Sequence, residues 1–512
     1  MRLGFTSFIR VVPLLLLLLL LVTPSAGQGR RELYVGLPSL PKLLDPSTAV
    51  DGPLLQVSRQ VFETLVQYRE DGSDIEPGLA TGWAAGRDGL SWTFKLRQGV
   101  RFHDGTPLTA SLVVKSFQRQ MGGEYPSVLW PRLFRGVPGV IKEIEAPDSQ
   151  TVRFHLVIPY APLLTVLAHP ALAISLPAGP ELTRFYGTGP FRVVELSPAR
   201  IVLEVNGSYW GALARLDKII MTPVADDASA KADVDVQRLD LAFPVDPPAS
   251  SEWTISAPGW TMGYLAIQAE HEPFGKKKVR RAIAAAVDPA LLAGRIGAVA
   301  IPSQGFLPLG VWGRWEGPPV LGADPSQAKR LLAEAGFPQG VSGTLLVESA
   351  PSNPDRVLVA EAVRSALSAA GIAISVRGEP PDVYAELAQR GDYDLLLREM
   401  KAEGGDPHLF LYPISASEGA VKGPTAINFS FYRNPKLDDL LIRASQLSFR
   451  PERLRLYQRS QSALADEVPW VPLYIPLHWA WVRPEVRGFR LHPSGIHRLD
   501  KVWIEPAPGR SP

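Results

Sequence analysis

Between Leu90 and Met121 the hydrophobic period of the chain switches from two residues to about 3.6, so strand and then helix are required within one short stretch. Ser91 to Leu96 alternates, with Trp92, Phe94 and Leu96 on one face and Ser91, Thr93 and Lys95 on the other. That pattern predicts a half-buried strand. Gln98-Gly99 predicts a turn, and Val100 and Phe102 resume the alternation as a second strand. Asp104-Gly105 and Pro107 stop it, because these residues favour turn geometry. Thr109 then stands where an N-cap is expected, and Ala110, Val113, Val114, Phe117 and Met121 recur at helical spacing to give one apolar face. A sheet face and a helix stripe side by side must cover one another, so this stretch is α+β.

The remainder of the 512 residues bounds the class. With 46% hydrophobic and 20% charged residues the chain is globular, long enough for two or three cores. Arg2 and Arg10 precede an apolar run from Val11 to Val22, and Ser25-Ala26-Gly27 offers small residues for a signal peptidase. The run is shorter than the roughly 20 residues that span a bilayer, so residues 1–27 are expected to be a cleaved secretory signal. Its removal takes two arginines and no acids, which brings the formal net charge of +2 to zero and leaves no basic balance that would suggest nucleic acid. Cysteine is absent, which excludes disulfides, thiol catalysis, Cys-ligated zinc and a lipobox anchor. The chain contains no G-x-S-x-G elbow, no H-E-x-x-H and no phosphate loop, and its eight histidines are scattered, with His103 expected to be structural. Lys276 to Arg281 is read as a solvated helix face rather than a nucleic-acid patch. Neither a catalytic residue nor a metal ligand is assigned, and no cofactor is expected.

Along the chain, strands are expected at Leu33–Gly36 and Val152–Ile158, and helices at Gln56–Gln67 and Tyr160–Leu167. Asp288-Pro289 and Asp324-Pro325 each place a capping residue before a proline at the first helical position, with Gly336 closing the second helix. Thr344–Glu348, Asp355–Ala370, Ile372–Val376, Asp382–Gln389 and Tyr393–Leu397 then alternate strand and helix. This predicts a βαβαβ unit with a mainly parallel sheet, whose C-terminal strand edge is where ligands tend to bind. Helices over Pro435–Gln446 and Pro451–Asp466 and strands at Trp470–Trp481, Phe489–Leu491 and Val502–Ile504 complete the reading.

Several motifs agree in order with one family. Gly78–Trp83 (GLATGW), Trp92–Ala110 (WTFKLRQGVRFHDGTPLTA), Tyr186–Leu196 (YGTGPFRVVEL), Asn206–Gly211 (NGSYWG), Gly263–Asp288 and Ala328–Gly340 resemble the family 5 extracellular solute-binding proteins of ABC importers. Two departures stand out: Leu112 replaces the acid that completes a capping box, and Gln268 replaces an asparagine. The resemblance implies an α/β fold of the two-lobed periplasmic binding type (type II, in the three-domain family 5 variant), with mixed sheets and a hinge. Lobe I would comprise 28–55, 187–265 and 475–512, an additional domain 56–186, and lobe II 266–474. The two glycines around Thr188 permit close backbone approach and suit a crossing between lobes.

The loop Arg398 to Phe410 is the most informative about ligand. In the family this position commonly reads W-x-x-D-Y-x-D-P, its first aspartate binding the ligand ammonium in peptide-binding members. Aligning Asp406-Pro407 with the final D-P puts Glu403 at the ammonium position and Met400 at the tryptophan. A carboxylate one methylene longer still pairs with an amine, while methionine removes an aromatic wall and leaves a softer surface. Arg398 and Lys401 add charge. Asp406, Tyr186, Gly187, Thr188, Tyr264, Trp312 and Tyr432 are further candidate wall residues. The implied protein binds rather than catalyses. It would be a monomeric periplasmic receptor, not a lipoprotein, that closes two lobes over a short peptide or similar amine-bearing solute. Its partners would be an ABC permease and separate ATPase subunits, with no nucleic acid. A receptor for oligosaccharide or metal chelate is the alternative within the family, and a secreted hydrolase the alternative outside it.

Overall fold

A computed structural model describes residues 31–48, 52–122, 126–135, 139–179, 184–243, 253–296, 300–303, 305–315, 324–350 and 355–505. The apolar run of the expected signal lies outside them. Among the described residues no helix is long and apolar enough to cross a membrane.

A mixed sheet of twelve strands runs through the described residues in two parts that share one strand. In the first part Glu32–Leu37 lies parallel to Lys218–Pro223 and Leu241–Ala242, and Ile201–Val205 and Phe191–Leu196 extend it antiparallel. In the second part Val341–Glu348 lies parallel to both Ile372–Glu379 and Leu395–Lys401, with helices Asp355–Ala369 and Pro381–Arg390 between them in the chain. This is the expected βαβαβ unit, and its buried strands read as apolar runs because helices cover parallel sheets. Thr261–Ile267 pairs antiparallel with Leu395–Lys401 and closes the second part toward the shared strand.

That shared strand is Trp470–Val482. Its residues up to Pro476 pair with Thr261–Ile267 and Ala300–Pro302, and those from Leu477 pair with Thr254–Pro258 and Leu241–Ala242. Proline has no N–H to donate, and Pro476 sits where the strand changes partners. The chain crosses the same boundary a second time at Gly259-Trp260, between Thr254–Pro258 and Thr261–Ile267. The two parts of the sheet are therefore joined by paired strand crossings at 259–260 and 476, and Gly187 and Gly189 belong to neither crossing. Those glycines pack on the end of helix Gly52–Val61: a Cβ on Gly187 would lie 1.9 Å from the Val61 carbonyl oxygen, and Gly189 donates its N–H to that oxygen at 2.9 Å. The expected close approach is real, and the carbonyls of Gly187 and Gly189 also meet His103, from the segment after Ser91–Leu96, at 2.9 and 3.0 Å.

Ala80–Ala85, Ser91–Leu96, Thr151–Leu156 and Ile141–Asp148 form a separate antiparallel sheet, in that order. Helix Ala110–Gly122 packs on it through Ala110, Val113, Val114 and Phe117, and the Thr109 hydroxyl accepts a long 3.4 Å bond from the Leu112 N–H. The second expected strand is absent. Val100 and Phe102 are buried, yet only an isolated bridge between Arg101 and Pro107 forms.

Other departures share one cause, pairing between distant segments. The helix expected over Gln56–Gln67 ends at Val61, because Val66–Tyr68 pairs with Ile75–Pro77. Leu395–Lys401 continues four residues past Leu397, because Thr261–Tyr264 supplies partners for Arg398 to Lys401. Phe489–Leu491 is not a strand; Val486–Arg487 pairs with Trp503–Ile504 instead. The basic run at Lys276–Arg281 opens helix Lys277–Ala286, and its charges are paired: Lys277 with Asp466 and Glu467, Lys278 with Glu334, and Arg280 with Glu467.

Candidate ligand-binding site

Because Arg398 to Lys401 is strand, its side chains alternate. Arg398 and Met400 lie on one face with Tyr264 and Met262 opposite them, and Glu399 and Lys401 lie on the other. The chain leaves the sheet at Ala402, whose N–H bonds the Trp260 carbonyl at 2.9 Å. Gly404 then passes flush against a neighbouring segment, where a Cβ would lie 2.5 Å from both Thr165 Cγ2 and the Tyr68 hydroxyl. Close passage at glycine holds Glu403 at the junction of three distant segments.

The first is the short helix Trp130–Phe134. Trp130, Leu133 and Phe134 share its inward face, and Trp130 stacks on Phe134 with ring centroids 4.2 Å apart, which leaves Arg132 on the outer side. From there Arg132 Nη1 reaches Glu403 Oε1 at 3.1 Å and Nη2 reaches the Met400 sulfur at 3.6 Å. The second is His169, buried at the start of the 3₁₀ turn Pro170–Leu172. Its Nδ1 accepts the Ala171 N–H, so the proton resides on Nε2, which faces Glu403 Oε2 at 3.5 Å. The third is Tyr68, whose hydroxyl donates to the Thr165 carbonyl at 2.7 Å and lies 3.4 Å from that of Glu403. Beside Tyr68 and His492 a cavity of about 20 Å3 has room for a single water.

Glu403 is 11% exposed. Burial alone would raise its pKa, but the His169 hydrogen bond and the charges of Arg132 and Lys401 outweigh it and hold the group at about 2. It is an enclosed carboxylate kept ionised. Lys401 is half-buried, and burial lowers its pKa while Glu403 opposes that effect. It makes no ion pair among the described residues. Burial, with Lys401 adding to it, presses His478 down to about 4, and burial with Arg59 and Lys401 presses His492 to about 3, so both rings are neutral at pH 7.

The other expected wall residues do not join this cluster. Asp406 is 3% exposed and accepts from Arg453 Nη2 at 2.8 and 2.7 Å, so both of its oxygens are engaged inside the protein. Trp312 covers that pair, with the Arg453 guanidinium 5.1 Å from its ring. Thr188 is fully buried, and its hydroxyl donates to Glu63 at 2.8 Å; Tyr209 and Trp210 donate to the same carboxylate. Gly187 is packed against Val61. Tyr186 pairs with Leu176 in a two-stranded ribbon. Tyr264 is a core residue, 2% exposed and edge-on to Trp470. Tyr432 donates to Glu467 at 2.9 Å. Arg398 lies over the Phe429 ring at 4.2 Å. Of the expected set, Met400 and Glu403 meet at Arg132, and Lys401 acts on Glu403 through its charge alone. Arg132, His169 and Tyr68 are additions, and nothing local marks them in the sequence, since each lies more than 200 positions from Glu403 and meets it only through the fold. Among the described residues no three His, Asp or Glu side chains are grouped to hold a metal.

Comparison with known proteins agrees over the length of the chain. It is 29% identical to the heme-binding protein A of Haemophilus influenzae, covering 90% of each chain. It is 27% identical to a probable D,D-dipeptide-binding periplasmic protein of Escherichia coli, covering 91% of this chain and 93% of the relative. The solved structure of HbpA2 from Haemophilus parasuis superposes with a TM-score of 0.84 at 25% identity, covering 93% of this chain and all of the other. The family model for bacterial extracellular solute-binding proteins, family 5 Middle, matches residues 74–422. That span takes in the Trp92–Ala110 motif, the crossing at 259–260 and the loop that carries Glu403, so the chain belongs to the family 5 extracellular solute-binding proteins, with their two-lobed fold.

Proposed function

We propose that this chain is the periplasmic receptor of an ABC importer, which captures a short peptide or similar amine-bearing solute between two lobes and hands it unaltered to a permease served by separate ATPase subunits. The observation that carries this reading is Glu403, an ionised, enclosed carboxylate at a junction of segments far apart in the chain. Such a group recognises a cation, because a charge-assisted hydrogen bond there repays the cost of desolvating an ammonium. The adaptable Met400 surface lies beside it. Relatives named for dipeptides support the same cargo class.

The strand crossings at 259–260 and 476 support lobe boundaries close to the expected 265 and 474, with lobe I as 28–55, 187–265 and 475–512, an additional domain at 56–186, and lobe II at 266–474. Within that division Glu403 stands on lobe II, and Arg132 and His169 on the additional domain. Closing the lobes then brings the acceptor against its surroundings.

Isothermal titration with a panel of short peptides tests the reading. Wild-type protein binds at least one, and Glu403→Ala weakens peptides with a free amine at least tenfold while leaving the melting temperature within a few degrees. Unchanged affinity in the variant rejects the assignment of Glu403.

A further inference from the structure

Glu403 already has a cation. The Arg132 guanidinium meets its Oε1 at 3.1 Å and lies against the Met400 sulfur at 3.6 Å, which is the carboxylate and wall that a cargo ammonium would use. The two members of this pair differ in access, Glu403 being 11% and Arg132 39% exposed. Water reaches the arginine, so a guanidinium that leaves Glu403 passes into solvent rather than into the interior. Arg132 can therefore give way when another cation takes its place.

Charge balance limits which cargo can take its place. Arg132 and Lys401 supply two cations against the one carboxylate, and Lys401 has no ion-pair partner among the described residues. The nearby His478 and His492 rings add no counter-charge. If an ammonium displaces Arg132, three cations face one carboxylate in an enclosed place, where like charges repel strongly. Cargo that also brings a carboxylate restores the balance, because the freed guanidinium then has an anion to bind. Arginine suits this role, since its planar fork receives a carboxylate through two parallel N–H bonds.

We infer that Arg132 is a specificity-determining residue: it holds Glu403 as a built-in stand-in for the cargo ammonium, and on exchange it turns to the cargo carboxylate, so the cleft takes short zwitterions and discriminates against amines that lack an anion. This rests on the peptide-type reading of the site. The cargo's two charges must lie within reach of one cluster, which favours one or two residues over a long peptide.

Titration calorimetry with three probes tests it: Ala-Ala, which carries both charges, its C-terminal amide, which carries the ammonium alone, and its N-acetyl form, which carries the carboxylate alone. Wild-type protein is expected to bind Ala-Ala at least tenfold more tightly than either blocked form. In Arg132→Ala the preference of Ala-Ala over the amide falls at least tenfold, partly because the amide now meets an unoccupied Glu403, and Arg132→Lys keeps part of the preference. A preference unchanged within twofold in Arg132→Ala overturns the role of Arg132 while leaving the peptide reading intact. Failure of all three probes to bind wild-type protein overturns the peptide reading and this inference with it. Should Arg132→Ala fold poorly, Arg132→Gln removes the charge but keeps the stem, and is read by the same ratio.

Discussion

Two ion pairs spring from one loop and are built for opposite purposes. Asp406 and Arg453 are 3% and 7% exposed; one guanidinium nitrogen binds both carboxylate oxygens, while the Arg453 Nε donates to the Ala444 carbonyl. Three residues earlier, Glu403 meets Arg132 through a single 3.1 Å contact, with the arginine 39% exposed. The first pair joins neighbouring elements of one region and has its hydrogen bonds satisfied, so no outside group can compete. The second joins residues 271 positions apart, and one partner is open to solvent. Burial and multiplicity of contacts, rather than residue type, separate a scaffold carboxylate from one that can change partners.

The largest expected effect probes the scaffold side. Asp406→Ala leaves Arg453 buried without a counter-charge and should cost about 3–5 kcal/mol in urea unfolding followed by tryptophan fluorescence. A loss below about 1 kcal/mol would erase the contrast. Next, Thr188→Val removes one of the three donors to Glu63, a carboxylate whose pKa burial raises against those hydrogen bonds. It should cost about 1–3 kcal/mol, with peptide affinity unchanged, since Thr188 lies in the scaffold. A selective loss of affinity would return Thr188 to the ligand site.

The last test falls on the exchangeable pair. Glu403→Gln should lower stability near neutral pH by an amount that acid removes, because the neighbours of Glu403 favour its ionised form. The sign of its pH dependence comes from a folded-state pKa of about 2, below the ordinary glutamate value of roughly 4.3. Between these values the unfolded chain binds more protons than the folded one, so acidification destabilises the fold. The contribution of Glu403 is thus complete above about pH 5 and disappears as the pH drops through about 2. Urea titrations should show the gap between wild type and Glu403→Gln closing over that interval. A gap independent of pH would mean that Glu403 is not held ionised by its neighbours.

Legibility divides along the same physical line as the two ion pairs. The βαβαβ unit from Val341 to Lys401 is readable because each element carries its own period and its own stops, such as Gly371 and Gly391 at positive φ after the two helices. The pattern around Gln56 carries the expected helix six residues beyond its true end at Val61, since Val66–Tyr68 has an apolar pattern either element could use, and only the partner Ile75–Pro77 selects strand. Arg398 to Lys401 has the charge of a loop, but a strand lasts as long as its neighbour offers hydrogen bonds. Within the site, the loop motif assigns Met400 and Glu403 to one stretch, and the fold sets both against Arg132. It assigns Asp406 to the same stretch, but the fold turns that carboxylate to Arg453, 47 positions away.

The sequence by itself determined the class: periodicity settled the sheets and their covering helices, ordered motifs settled the family, and the missing cysteines excluded whole chemistries. Tertiary structure alone decided where the two parts of the large sheet join, and which cation faces which carboxylate. Those outcomes depend on contacts between residues far apart in the chain, and local pattern carries no information about which distant side chain will arrive.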